Sequence, residues 1–113
     1  MVQMRSYGPD GYRFFTYSNS RKGKELAGNE CACMLFYWPA VHRQVIIEGV
    51  ARKLPRQITE EFWKRRPDNL QATVCATAQS EVIPNRQVLE RKKAEILKTY
   101  TAAGAPIPLP PNW

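Results

Sequence analysis

The chain has 113 residues and carries 17 Lys and Arg against 10 Asp and Glu, a formal net charge of +7. That length suits one modest domain and is too short for two, and 43% apolar with 11% aromatic content argues for a folded chain and against disorder. No apolar run approaches the roughly 20 residues that span a bilayer, and Met1-Val2-Gln3-Met4-Arg5 lacks the apolar core and cleavage site of a signal peptide, so a soluble, cytoplasmic protein with no membrane partner is expected.

Met1 to Gln3 reads as a strand already under way. Gly8-Pro9-Asp10-Gly11 is a turn signal, and Tyr12–Thr16 returns as the second strand of a hairpin. Ser20 suits the N-cap of a short helix over residues 21–27, which Gly28-Asn29 would end. Cys31–Trp38 is a nearly continuous apolar run. It reads as a strand buried on both faces, although periodicity alone leaves a helix open. On a strand, Cys31 and Cys33 would share one face. None of the three cysteines stands in C-x-x-C spacing and their number is odd, so free, mostly buried thiols are expected.

Pro39 interrupts the run. His42 is the only histidine, which excludes multi-histidine metal sites; it is read as a turn residue, and no metal is expected. Gln44–Leu54 forms the next strand, with Gly49 marking a bulge or a close backbone approach. From Pro55 the pattern turns helical: Ile58, Phe62 and Arg66 fall four residues apart on one face, and Pro67 stops the helix. Residues 70–83 stay ambiguous, with Thr73–Thr77 fitting either strand or helix. A clear helix follows Pro84-Asn85, carrying Leu89, Ile96, Leu97 and Tyr100 on one face until Gly104. Pro106, Pro108, Pro110 and Pro111 then make an extended tail that ends on Trp113. The division is a domain over 1–105 and a proline-rich tail over 106–113. The fold class is mainly β with helices: an antiparallel sheet or barrel with inserted helices, incomplete at both ends.

A basic chain favours anionic partners. The cations here are scattered in small groups (Arg21/Lys22/Lys24, Arg52/Lys53, Lys64/Arg65/Arg66, Arg91/Lys92/Lys93) and the aromatics sit inside apolar runs, so nucleic acid is not the expected partner. One group stands out. Ser20-Arg21-Lys22-Gly23-Lys24-Glu25-Leu26 follows directly on the β-rich run Tyr12–Thr16. Two cations and free N–H groups at the positive end of a helix dipole suit a phosphate. Taken alone, the same run reads first as a solvated basic helix start.

Four segments stand together: Phe15-Thr16 with Ser20 to Leu26; Phe36-Tyr37-Trp38; Arg43-Gln44-Val45 with Glu48-Gly49; and Gln79-Ser80 with Val82-Ile83-Pro84. In this order, and with Lys53-Leu54-Pro55 and Arg66-Pro67 between them, they resemble the pyridoxine (pyridoxamine) 5'-phosphate oxidase family across nearly the whole chain. The resemblance implies an FMN-binding split β-barrel, a homodimer with FMN at its interface, and oxidation of pyridoxine or pyridoxamine 5'-phosphate to pyridoxal 5'-phosphate with molecular oxygen. It implies that Arg21 and Lys22 hold the FMN phosphate, that Phe15 and Thr16 line the flavin cleft, that Gln44 hydrogen-bonds the flavin, and that Gln79 and Ser80 reach the cofactor from the facing subunit. It identifies no catalytic residue.

The substrate-phosphate positions depart from the pattern. Where the family has a lysine, a tyrosine, an arginine and a serine, this chain has Arg5, Phe62, Arg66 and Leu70. Both charges remain and both hydroxyls are gone. The chain also stops before the tryptophan, the arginine and the Arg-x-His element of the family's last strands. Two readings therefore stand beside each other: an FMN-dependent oxidase of phosphorylated B6 vitamers, and a catalytically impaired relative that binds FMN or dimerises. A basic adaptor for nucleic acid is a third.

Overall fold

The computed structural model describes residues 2–113. Strand β1 (Met4–Gly8) and strand β2 (Gly11–Phe14) form an antiparallel hairpin, with an irregular step between Met4 and Ser6. The turn between them works because Gly11 takes φ 109°, a conformation only glycine adopts without strain. The strand expected over Met1 to Gln3 starts instead at Met4; Met1 lies outside the described residues. The return strand is also shorter than expected, so Phe15 and Thr16 leave the ladder and are free to turn inward.

Helix α1 (Arg21–Gly28) begins where the sequence places it. Ser20 is wholly buried and its hydroxyl works twice: it accepts from the Gly23 N–H at 3.2 Å and donates to the Tyr17 carbonyl at 2.6 Å. Gly23 is obligatory for a separate reason, since a Cβ there would meet the Tyr17 carbonyl oxygen and stand 2.5 Å from that of Ser18.

Strands β3 (Cys31–Trp38) and β4 (Arg43–Val50) form a second hairpin, in unbroken register from Cys31 opposite Val50 to Trp38 opposite Arg43. A short 3-10 turn over Pro39–Val41 joins them, and His42 closes it in the left-handed region at φ 49°, a turn residue as read. Three expectations fail here. Gly49 makes no bulge; it sits opposite Ala32 in regular pairing, with nothing near a notional Cβ. The Cys31–Trp38 run is not buried on both faces. One face (Met34, Phe36 and Ile47) is half-buried, and Phe36 meets Tyr12 of the first hairpin at 6.0 Å. The other carries Leu35, Ile46 and Val50, exposed by 58%, 56% and 58%. Cys31 and Cys33 lie on that open face and are exposed free thiols, and Cys75 is half-buried, so the expected burial fails as well.

Helices α2 (Arg56–Lys64), α3 (Asp68–Ala76) and α4 (Arg86–Ala103) complete the chain. The ambiguous region resolves into α3. Its buried Gln71 donates to the carbonyls of Trp63 and Arg66 at 2.8 and 2.9 Å, satisfying the open end of α2. Helix α2 stops at Lys64, so Arg66 stands just past its end rather than on its face. Asn85 caps α4 through the Val88 N–H, and Gly104 ends it at φ 58°.

The core forms between helices and tail, not between sheets. Tyr17, Trp63, Ala72, Val74 and Ile107 are buried together, with Ile96, Leu97, Tyr100, Leu109 and Trp113 packed around them. The proline-rich segment is held against this core: the Trp63 indole N–H donates to the Ile107 carbonyl at 2.8 Å, and the Ser18 N–H donates to that of Asn112 at 2.7 Å. The two hairpins project from it. The radius of gyration of 16.3 Å exceeds the roughly 13 Å of a compact domain of about 100 residues.

Gly23→Ala is expected to destabilise the fold by about 1–3 kcal/mol, the usual range for forced overpacking, read as a lowered urea midpoint. An unchanged midpoint contradicts the close approach of α1 to the Tyr17–Ser18 carbonyls.

Candidate functional site

Two clusters gather most of the residues singled out from the sequence. The first lies at the start of α1. The Thr16 hydroxyl donates to Gln79 Oε1 at 3.0 Å, the Tyr17 N–H reaches the same oxygen at 3.4 Å, and the Arg21 N–H donates to Ser80 Oγ at 3.2 Å. Residues some sixty positions apart thus meet within a single chain. Ser80 is held at φ 68°, a left-handed conformation uncommon outside glycine, and this turns its hydroxyl toward the helix start. Gln79 spends its oxygen on Thr16 and Tyr17, leaving its amide N–H groups for a further acceptor.

The free helix N-terminus expected from the sequence is partly occupied. Ser80 Oγ takes the Arg21 N–H, Ser20 Oγ takes that of Gly23 and the Ser20 carbonyl takes that of Lys24. Only the Lys22 N–H of this first turn has no recorded partner among the described residues. Arg21 is fully exposed and its Nε donates to Glu25 at 2.8 Å, which raises the guanidinium's pKa through that hydrogen bond and the adjacent charge. A surface pair of this kind is readily exchanged for a better anion. The donors here (two cationic side chains, one open N–H, the Ser80 hydroxyl and the Gln79 amide) fit a terminal phosphate with several acceptor oxygens.

The second cluster is aromatic and cationic. Phe15 stacks on Phe62 at 4.3 Å and on Trp113 at 5.0 Å, and Trp113 meets Trp63 edge-on at 5.2 Å. The Arg5 guanidinium lies over the Phe62 ring at 5.7 Å, and that of Arg66 over the Trp113 ring at 5.5 Å. Burial, and next the nearby Arg5 charge, lower the pKa of Arg66. Arg66 Nε is buried without a hydrogen-bond partner among the described residues. Two guanidinium groups that repel one another, one with an orphaned N–H, form a ready anion site. Phe62 and Leu70 contribute no donor to it, and Leu70 is 42% exposed on the first turn of α3.

Gln44 stands apart. It pairs with Tyr37 near the end of the β3–β4 hairpin and lines a shallow groove with Trp38, Val41, His42, Arg43 and Val45. No hydrogen bond among the described residues joins it to either cluster. Sequence reasoning missed Tyr17 and Trp113 as parts of this region. Tyr17 lies between both clusters, its phenol donating to the Val74 carbonyl at 2.5 Å, and burial pushes its pKa up to about 12. An aromatic next to the Ser20 turn was the available signal. Among the described residues no group of three His, Cys, Asp or Glu could hold a metal, and no helix is long and apolar enough to cross a membrane.

The sequence profile of the pyridoxamine 5'-phosphate oxidase family matches residues 1–100. The chain is 43% identical to the pyridoxine-5'-phosphate oxidase of Bos taurus over 108 residues, which is 96% of this chain and 41% of that protein. It is 40% identical to a putative pyridoxamine 5'-phosphate oxidase of Caenorhabditis elegans, over 100% of this chain and 50% of the relative, and 41% identical to the pyridoxine/pyridoxamine 5'-phosphate oxidase of Salinispora arenicola, over 99% and 50%. The chain thus spans about half the length of these curated relatives. Among solved structures, PhzG from Burkholderia lata 383 in complex with tetrahydrophenazine-1-carboxylic acid superposes with a TM-score of 0.85 at 32% identity, covering 98% of this chain and 53% of that one.

The buried phenol of Tyr17 keeps its proton to about pH 12, against 10.0 for a free one. Between these values the folded chain binds more protons than the unfolded chain, so the stability this group contributes, complete below pH 10, is lost as pH rises toward 12. Tyr17→Phe is expected to flatten that part of the stability–pH curve, followed by urea denaturation. An equal alkaline slope in both proteins contradicts the burial of the phenol.

Proposed function

The chain belongs to the pyridoxamine 5'-phosphate oxidase family, and on that premise we propose that it forms the flavin-holding part of an oxidase that converts pyridoxine or pyridoxamine 5'-phosphate to pyridoxal 5'-phosphate. FMN is the cofactor: when bound, it accepts the hydride equivalents of the substrate and passes them to molecular oxygen. The observation that carries this reading is the convergence of Thr16, Arg21, Gln79 and Ser80 at the start of α1.

The roles follow from the chemistry of each group. Arg21 and Lys22 neutralise the FMN phosphate, and the Lys22 N–H and Ser80 hydroxyl complete its donors. Phe15 supplies an apolar wall, while Thr16 fixes the Gln79 amide so that its N–H groups point outward. Gln44 serves the flavin ring from the second hairpin. Because Gln44 lies away from the first cluster, a homodimer with FMN at the interface brings them together, and the open sheet faces favour closure of a split barrel against a partner. Arg5 and Arg66 hold the phosphate of the B6 vitamer.

A second reading rests on a specific observation. Phe62 and Leu70 offer no hydroxyl where the family pattern has two. A hydrogen bond to a charged group contributes about 1.5–3 kcal/mol, so losing both weakens the substrate by about a hundredfold or more if the terms add. An FMN-binding relative with impaired turnover fits that loss. Oxygen-dependent formation of pyridoxal 5'-phosphate at an ordinary rate removes this second reading; flavin binding without turnover removes the first.

Replacing Arg21 and Lys22 together by alanine is expected to weaken FMN by about a hundredfold, the loss of two charge-assisted contacts, measured by quenching of flavin fluorescence. Unaltered affinity places the phosphate elsewhere.

A further inference from the structure

Arg56 lies outside both clusters, and neither set of roles uses it. Its guanidinium makes a two-pronged contact: Nη1 donates to the Trp113 main-chain oxygen at 2.9 Å and Nη2 to the Pro110 carbonyl at 3.1 Å. Those oxygens bracket a tight turn in which the Trp113 N–H donates back to the Pro110 carbonyl at 3.2 Å. The far side of the turn is tied to the loop before α1. Asn112 accepts from the Ser18 N–H at 2.7 Å and from the Ser18 hydroxyl at 3.1 Å, and its amide donates to Asn19 at 2.8 Å. Residues 110–113 therefore bridge α2 and the phosphate-binding loop.

The bridge delivers one side chain to a specific place. The Trp113 ring stacks on Phe15, lies beneath the guanidinium of Arg66 and meets Trp63 edge-on. Among the described residues, Arg66 has no acidic partner and its buried Nε has no hydrogen bond. Burial, and next the Arg5 charge, disfavour its charged form there. Among the described residues, the face of Trp113 is the attractive contact that the structure records for this guanidinium, and a cation over an indole is the strongest form of that contact. A flexible guanidinium without such a seat would lose its alignment when an anion arrives.

Resting on the reading of Arg5 and Arg66 as the anion site, we propose that Arg56 is a positioning residue: by clamping the Pro110–Trp113 turn, it seats the indole under Arg66 and aims that guanidinium at the phosphate of the ligand. Arg56 touches no ligand itself. A planar fork is required because two main-chain oxygens must be held at once, which a lysine ammonium on a single point cannot do with the same geometry.

The test compares binding of pyridoxine 5'-phosphate and of pyridoxine, which lacks the phosphate, to the chain and to Arg56→Met, Arg56→Lys and Trp113→Phe, each checked for an unchanged melting transition. Arg56→Met is expected to weaken pyridoxine 5'-phosphate by about fivefold, the scale of a lost cation–π seat. Pyridoxine binding is expected to stay unchanged and the Arg66 Nε–H NMR resonance to move even without ligand. Arg56→Lys should recover part of the loss, and Trp113→Phe should reproduce a smaller one. A phosphate preference that survives Arg56→Met, with the Arg66 resonance unmoved, overturns the positioning role and leaves the anion site standing. Equal affinity of the unaltered chain for the two probes overturns the anion site and the role together. Should Arg56→Met unfold, the same readouts on Trp113→Phe and Arg56→Lys decide.

Discussion

One buried hydroxyl holds the functional region in shape. Ser20 is inaccessible to solvent, accepts the Gly23 N–H and donates to the Tyr17 carbonyl. In doing so it helps turn the chain from the first hairpin, which ends at Phe14, into α1, which starts at Arg21. Everything near the site inherits that turn. It lets α1 approach so closely that Gly23 has no room for a side chain. It sends Tyr17 inward to Val74 and leaves Thr16 facing Gln79. A capping hydroxyl contributes about 1 kcal/mol to a helix; here its larger consequence is placement, because the same bond sets the direction in which Arg21 and Lys22 leave the fold.

The two cationic regions differ in how they hold charge. At α1 the cations are exposed, and Arg21 is parked on Glu25. Water and a neighbouring carboxylate keep that region at low cost. At Arg5 and Arg66 the charges sit against aromatic faces, and one is partly stripped of water. Such a site is more selective and more costly to maintain, and its stability depends on the packing of Phe15, Phe62 and Trp113. Trp113 is the physical link between the regions, since its turn is fastened to Ser18 and Asn19 on one side and to Arg56 on the other.

Local signals were legible where one residue decides the backbone. The Gly8–Gly11 turn, the Ser20 and Asn85 caps and the Gly104 stop all stand where elementary chemistry puts them. Long-range signals were not. The apolar run Cys31–Trp38 reports what a strand is suited to meet, not what meets it in one chain that spans about half the length of its relatives. Helix α3 was hidden because its burial rests on Gln71, a polar residue whose two bonds to the end of α2 no periodicity reveals. Trp113 read as the end of a linker because its partners Phe15, Trp63 and Arg66 are far away in sequence. The cationic pair at α1 was visible, but its partial capping by Ser80 was not, since that contact spans 59 positions and depends on a left-handed serine.

On the proposed reading, Arg21 and Lys22 hold the FMN phosphate at the start of α1 as a dianion. The most direct measurement is the 31P resonance of FMN bound to the chain, followed through the range where a free phosphate monoester takes up its second proton, near pH 6. A phosphate gripped by Arg21 and Lys22 keeps its dianionic shift well below that pH. A bound FMN whose resonance titrates as it does in free solution contradicts the claim.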